Sequence, residues 1–176
     1  MSKTSKIIFF AVMVALSAVL SYFDSYICSF ITFGAIKYKL GLANIVIMVV
    51  LYNYDFKRTF FTVVIKSLIV GLFLGINGMV TFIISLFGSI LSLIGMYVFK
   101  KLLPNERFTP FIGLIGGFLH PIGQFIGVSL IYGFKEFLAS SILSAPIMLV
   151  MGIITGLLVG LSSKKINKIL ENKFEK

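Results

Sequence analysis

The chain is poor in acid. Six Asp and Glu residues among 176, with 12% charged residues in all, are too few to cover a water-soluble globule of 19.5 kDa; soluble domains carry about a quarter. Cysteine is nearly missing too: Cys28 stands alone, which excludes an intrachain disulfide framework. One His and one Cys leave no cluster with metal-ligand spacing. No Gly-Lys pair occurs, so there is no phosphate-cradling ATPase loop of the Gly-x-x-x-x-Gly-Lys-Ser/Thr kind. The acids Asp24, Asp55, Glu106, Glu136, Glu171 and Glu175 are scattered and form no pair for acid–base work or for holding magnesium on a diphosphate. These gaps argue that the chain is not an enzyme and needs no cofactor.

What is present is apolar. Hydrophobic residues make up 59% and the mean hydropathy is +1.07. The net charge of +10 does not mark a nucleic-acid binder, because the basic residues sit at the ends of apolar runs, as in a membrane protein. A bilayer-spanning helix needs about 20 mostly apolar residues. On that measure the sequence predicts an all-α integral membrane protein, one domain over 1–176, with six spans near 7–27, 39–54, 58–76, 79–99, 108–132 and 137–161. The stretch 67–99 has no charge and is too long for one span, so Asn77-Gly78 is read as its turn. Lys135-Glu136 separates the last two spans. The segment at 39–54 is the weakest, being short and beginning at Lys39, and a loop packed on the protein is an alternative for its start.

With six spans, twelve basic residues fall on one side: Lys3, Lys6, Lys57, Arg58, Lys100, Lys101, Arg107, Lys164, Lys165, Lys168, Lys173 and Lys176. Lys37, Lys39 and Lys135 fall on the other, and Lys66 is left inside a span. That asymmetry predicts cytoplasmic N- and C-termini. The first segment follows Lys3 and Lys6 like a signal peptide, but it is too long and has no small-x-small cleavage site, so it is read as a retained helix. The basic tail 162–176 is read as an anchor for topology, with a place along the inner headgroups as the alternative.

Polar groups inside lipid face a cavity or a partner. Lys66 lies about 12 Å of helix rise into the third span. Asp24 sits near the outer end of the first, Asn44 early in the second, and Asn77 at the turn after the third. His120 is near the middle of the fifth span, with Gln124 one turn further on the same face. Together with Lys39, these residues predict a polar pocket that opens outward and binds a small ligand. Lys37, Lys39 and Lys66 favour an anionic group on it. Each has a plainer reading: a solvated helix end for Asp24, snorkelling for Lys66, capping of carbonyls freed by Pro121 for His120, and interhelical hydrogen bonding for Asn44 and Gln124. Small residues four apart (Ala11 and Ala15; Gly71 and Gly75; Gly113 and Gly117; Gly152, Gly156 and Gly160) are first of all packing positions.

The run Lys39-Leu40-Gly41-Leu42-Ala43-Asn44-Ile45 resembles the signature of a bacterial membrane-protein family that carries two labels, "Gx transporter family" and "heptaprenyl diphosphate synthase component I". His120-Pro121-Ile122-Gly123-Gln124 is similar to the family's His-Asn-Ile-Gly-Gln, with Pro121 departing from it, and Lys66 stands where the family tends to have Arg. Lys lacks the bidentate fork of Arg, so an identical ligand contact is not implied there. The resemblance covers roughly 35–162. It is regarded as extending to the substrate-binding (S) components of energy-coupling factor transporters. It therefore implies a six-helix bundle in the bacterial plasma membrane that captures a vitamin-like or cofactor-precursor ligand under capping loops. It also implies a transmembrane scaffold (T) partner and two cytoplasmic ATPases, with Ala11 and Ala15 as a docking stripe on the scaffold. The synthase label fits less simply, since prenyl diphosphate synthases of the usual kind hold magnesium through Asp-rich motifs that this chain lacks. An accessory membrane subunit of isoprenoid or quinone synthesis is the alternative.

Overall fold

The computed structural model describes residues 3–31, 39–73, 78–141 and 144–174. They form seven α-helices: α1 (Lys3–Ile31), α2 (Asn44–Asn53), α3 (Phe56–Phe73), α4 (Gly78–Leu102), α5 (Thr109–Tyr132), α6 (Phe134–Ser141) and α7 (Ser144–Phe174), with a 3-10 turn at Glu106–Phe108. No strand occurs among the described residues. Four segments are long and apolar enough to cross a membrane: Ile7–Cys28, Gly78–Leu102, Glu106–Tyr132 and Ala145–Leu170. The chain is thus an all-helical, multi-pass membrane protein.

The helices are sided in the sense lipid demands. On α1 the buried face reads Ser17, Ala18, Ser21, Asp24 and Cys28, while Ile8, Val12, Val19, Tyr22, Phe23 and Tyr26 face outward. On α4 the buried face is mostly small or polar, with Ser85, Gly88, Ser89, Ser92 and Gly95, and is completed by Ile84, Leu93 and Met96. Large apolar side chains gain nothing by leaving hydrocarbon, whereas small residues let backbones approach, so the small faces turn inward. The contact of α5 with α7 is the tightest case. A β-carbon on Gly113 would lie 2.6 Å from Gly160 Cα, and one on Gly117 would lie 2.5 Å from Gly156 Cα. The Gly113/Gly117 and Gly152/Gly156/Gly160 stripes are therefore packing surfaces. Gly75 lies outside the described residues.

Two expected spans take a different form. The segment read as 39–54 is helical only from Asn44, and Lys39–Ala43 form a loop packed inside the protein. Helix α2 is only ten residues long, yet it touches α1, α3, α4, α5 and α7 and is buried all round. A short helix that is apolar on every side belongs in a core. The last span, expected at 137–161, is divided into α6 and α7, with residues 142 and 143 outside the described set. Gly133, at φ +86°, breaks the chain before α6. Lys135 and Glu136 lie within α6 and do not mark the break. Pro146 sits in the first turn of α7, where its missing N–H costs no helical bond. The basic tail is no separate element: α7 runs unbroken to Phe174. There Asn167 Oδ1 accepts from Asn53 Nδ2 at 2.9 Å, tying that extension to the end of α2.

Candidate functional site

The loop Lys39–Ala43 must make a sharp approach to α2, and Gly41 permits it with φ +93°. Three backbone N–H groups of that loop converge on one carboxylate of α1. Leu40 N donates to Asp24 Oδ1 at 3.0 Å, and Gly41 N and Leu42 N donate to Oδ2 at 2.7 and 3.2 Å. Asp24 is buried, as is Cys28 one turn later, whose thiol donates to Oδ1 at 3.7 Å. On the other side of the loop, Gln124 of α5 pairs with Lys39 as a strand would. Lys39 N donates to its Oε1 at 2.7 Å and its Nε2 donates to Lys39 O at 2.6 Å. The Thr155 hydroxyl of α7 shares its hydrogen between Leu40 O at 3.0 Å and Met151 O at 2.9 Å. Side chains of three helices thus hold the loop, and its buried backbone groups find the partners that lipid would not supply.

Beneath the loop lies a second layer. The Lys66 ammonium, fully buried on α3, donates to Ser89 Oγ of α4 at 2.5 Å. Asn44 Nδ2 donates to Ser92 Oγ, one turn further along α4, at 3.0 Å. Ser67 and Ser85 hydroxyls meet at 3.3 Å. Lys39 turns its side chain to Ser21 of α1, with Nζ 3.4 Å from Oγ. His120 is buried on α5 directly before Pro121, which α5 passes without a break. Neither imidazole nitrogen, nor Asn44 Oδ1, has a hydrogen-bond partner.

Six of the expected site residues therefore come together: Asp24, Lys39, Asn44, Lys66, His120 and Gln124. Asn77 and Lys37 lie outside the described residues. The plainer readings divide among them. Asp24 is not a solvated helix end, because it is buried under the loop. Lys66 does not snorkel, because Ser89 holds its ammonium inside the bundle. His120 does not cap carbonyls freed by Pro121: the one backbone carbonyl that acts on its ring is that of Gly88 on α4. Asn44 and Gln124 do form links between elements, and Gln124 has both amide groups engaged in doing so. Ala11 and Ala15 stand apart on the exposed face of α1.

Sequence reasoning missed Ser85, Ser89 and Ser92, which supply hydroxyls to Ser67, Lys66 and Asn44. Their spacing of four and three in a helix without charge places them on one face, and that was the available signal. Thr155 and Ser21 carried no comparable mark. Among the described residues no three His, Cys, Asp or Glu side chains gather as a metal site would require.

The charge count of the cluster is uneven. Two buried ammonium groups, Lys39 and Lys66, share one buried carboxylate, Asp24, and that carboxylate is already bonded to three backbone amides. Among the described residues the one ion pair is Arg58 with Asp55, which is exposed and includes no member of the cluster. A buried positive charge without a counter-charge is unfavourable, and an anion supplied from outside would relieve it.

Comparison with known proteins adds one match. Residues 13–166 match the family described as heptaprenyl diphosphate synthase component I. No curated protein and no solved structure matches the chain.

Proposed function

The chain belongs to the heptaprenyl diphosphate synthase component I family, and from that premise we propose that it is a non-catalytic membrane subunit that captures a small anionic ligand inside its helix bundle, in the manner of the S component of an energy-coupling factor transporter. The observation that carries this reading is the burial of two basic side chains, Lys39 and Lys66, beside a single carboxylate, Asp24. In this reading α1, α2 with its preceding loop, α3, α4, α5 and α7 are the six crossings of one membrane domain. Both termini are cytoplasmic, as the basic ends of α4 and α7 favour. The membrane is the bacterial plasma membrane. The ligand enters from the outer side, where the Lys39–Ala43 loop covers the cluster, and it is a vitamin-like or cofactor-precursor molecule of the flavin, prenyl or quinone-precursor type. Lys66, His120 and Asn44 contact it, with Lys39 contributing charge. Asp24 and Gln124 act by holding the loop.

Ala11 and Ala15 lie on an outward face of α1, which suits docking on a scaffold (T) subunit that couples to two cytoplasmic ATPases. Two substitutions test the parts separately. Lys66→Met should abolish ligand binding in a bundle that stays folded, and unchanged affinity would remove Lys66 from the site. Leucine at both Ala11 and Ala15 should leave the bundle and its ligand affinity intact while the scaffold is lost. Retention of the scaffold would place docking elsewhere.

The family's description favours a second reading. A "component I" of a synthase has another component beside it, so the chain would be an accessory membrane subunit of isoprenoid or quinone synthesis. Mass spectrometry of the protein purified gently from its native membrane separates the two. A scaffold with paired ATPases supports the transporter reading, whereas a prenyl synthase without ATPases supports the accessory one.

A further inference from the structure

The unpartnered atoms of the cluster belong to neighbours. A methyl group built at Gly41 would come within 2.9 Å of His120 Cδ2 and 3.0 Å of Asn44 Nδ2, so both side chains abut one point on the loop. On the other edge of the ring, a methyl group at Gly88 would come within 3.0 Å of His120 Cε1. Glycine on both edges leaves the imidazole its seat; the Gly88 carbonyl is the one backbone group that acts on the ring, neither nitrogen makes a well-aligned hydrogen bond, and at least one nitrogen lone pair is left free. Polar groups left unpaired away from water are costly, and natural structures retain them where something else pairs with them.

The chemistry of that partner can be counted. Asn44 has given an Nδ2 hydrogen to Ser92, and its free Oδ1 can only accept. A neutral imidazole offers one N–H and one lone pair. The Lys66 ammonium has three hydrogens, of which Ser89 takes one. The site therefore presents donors together with two free acceptors. A bare oxyanion answers the donors but turns lone pairs toward Asn44 Oδ1 and the imidazole lone pair. An anion that keeps a proton of its own answers the donors and, through that proton, one of the two acceptors.

We propose that the head group bound at His120, Asn44 and Lys66 is a protonated oxyanion of the phosphate or phosphate-monoester class. Its P–O–H is donated to Asn44 Oδ1 or to the imidazole lone pair, and its charged oxygens accept from Lys66 and the imidazole N–H. This rests on the anionic-ligand reading above and narrows it. Sulfate is the discriminating competitor, being tetrahedral and anionic but without a proton to donate near neutral pH. Phosphate groups have a second pKa of about 6, so near that pH the protonated form is abundant.

The test uses the full chain in lipid nanodiscs at pH 6, with inorganic phosphate and inorganic sulfate as probes so that no tail chemistry enters. Phosphate should bind at least tenfold more tightly than sulfate. At least one of His120→Met and Asn44→Leu should bring that ratio close to one; His120→Met should leave the melting temperature of the ligand-free protein unchanged, whereas Asn44→Leu also loses the bond to Ser92. Equal affinity for the two anions in the native chain, both lost in Lys66→Met, would overturn this inference and leave the anionic-ligand reading standing. A ratio unchanged in both variants would also overturn it, as would a loss of melting temperature that accounts for the loss of binding. Binding of neither anion would overturn the anionic reading and this inference together.

Discussion

Replacing Asp24 by Leu should release the Lys39–Ala43 loop while the long helices remain packed. The carboxylate accepts from Leu40, Gly41 and Leu42 at 3.0, 2.7 and 3.2 Å, and each such bond to a charged acceptor is worth about 1.5–3 kcal/mol. The three are not independent, because they share one buried carboxylate whose own desolvation opposes them. Removing one side of such an assembly typically costs about 3–5 kcal/mol. The loss of negative charge adds to this, since Lys39 and Lys66 would then lie buried with no carboxylate among the described residues near them. At about 1.4 kcal/mol per factor of ten, the lower bound corresponds to roughly a hundredfold faster opening of the loop. Hydrogen–deuterium exchange of the peptide containing residues 40–45, measured in nanodiscs, reads that directly. Asp24→Asn should be intermediate, because one amide oxygen still accepts while its NH2 faces a backbone donor. Gln124→Leu should accelerate the same peptide from the other side, and the double variant should show less than the sum, because both side chains hold one loop. Exchange within threefold of the native rate in a folded Asp24→Leu protein would refute the view that this carboxylate fixes the loop.

Two further outcomes follow from the glycines. Gly41 and Gly133 both have positive φ, at +93° and +86°, but a β-carbon would meet His120 and Asn44 at the first and nothing within 4 Å at the second. Gly133→Ala should therefore cost only the backbone strain of a conformation, φ +86° and ψ +163°, that is open essentially to glycine alone, about 1–3 kcal/mol, whereas Gly41→Ala, which adds a clash, should also weaken ligand affinity. Comparative melting of the two variants checks this. Gly117→Leu drives a side chain into the backbone of α7, where Gly156 Cα already lies 2.5 Å from the position of a β-carbon. It should cost more than about 4 kcal/mol or leave no folded protein, read as loss of a monodisperse peak in size-exclusion chromatography.

The long helices were legible in the sequence because lipid imposes one requirement, a long apolar run, and α1, α4, α5 and α7 meet it. Their ends and the short elements were less so. Composition treats Lys39 to Tyr54 as one apolar segment, yet Asp24 and Gln124 together draw Lys39–Ala43 out of the helix, and neither bond leaves a mark on the segment itself. Hydrogen bonds to backbone have no residue signature at the receiving end, so the sequence does not show that the atoms of Asp24 and Gln124 are engaged by the loop. The same physics made the polar cluster readable. Any ionisable or amide side chain in a bilayer must find a partner, so Asp24, Lys39, Asn44, Lys66, His120 and Gln124 were conspicuous one by one, and the fold brings them together. What separates them into two roles is completeness of pairing. Asp24 and Gln124 are satisfied within the chain and give it a shaped loop. Asn44 Oδ1 and the His120 ring are not fully paired, and Lys66 is a buried amine held by one hydroxyl. A bundle that needed these groups only for its own packing would have closed their hydrogen bonds internally, as it did for every backbone group of the loop that Asp24, Gln124 and Thr155 hold. The incomplete half of the cluster is where an external partner has most to contribute.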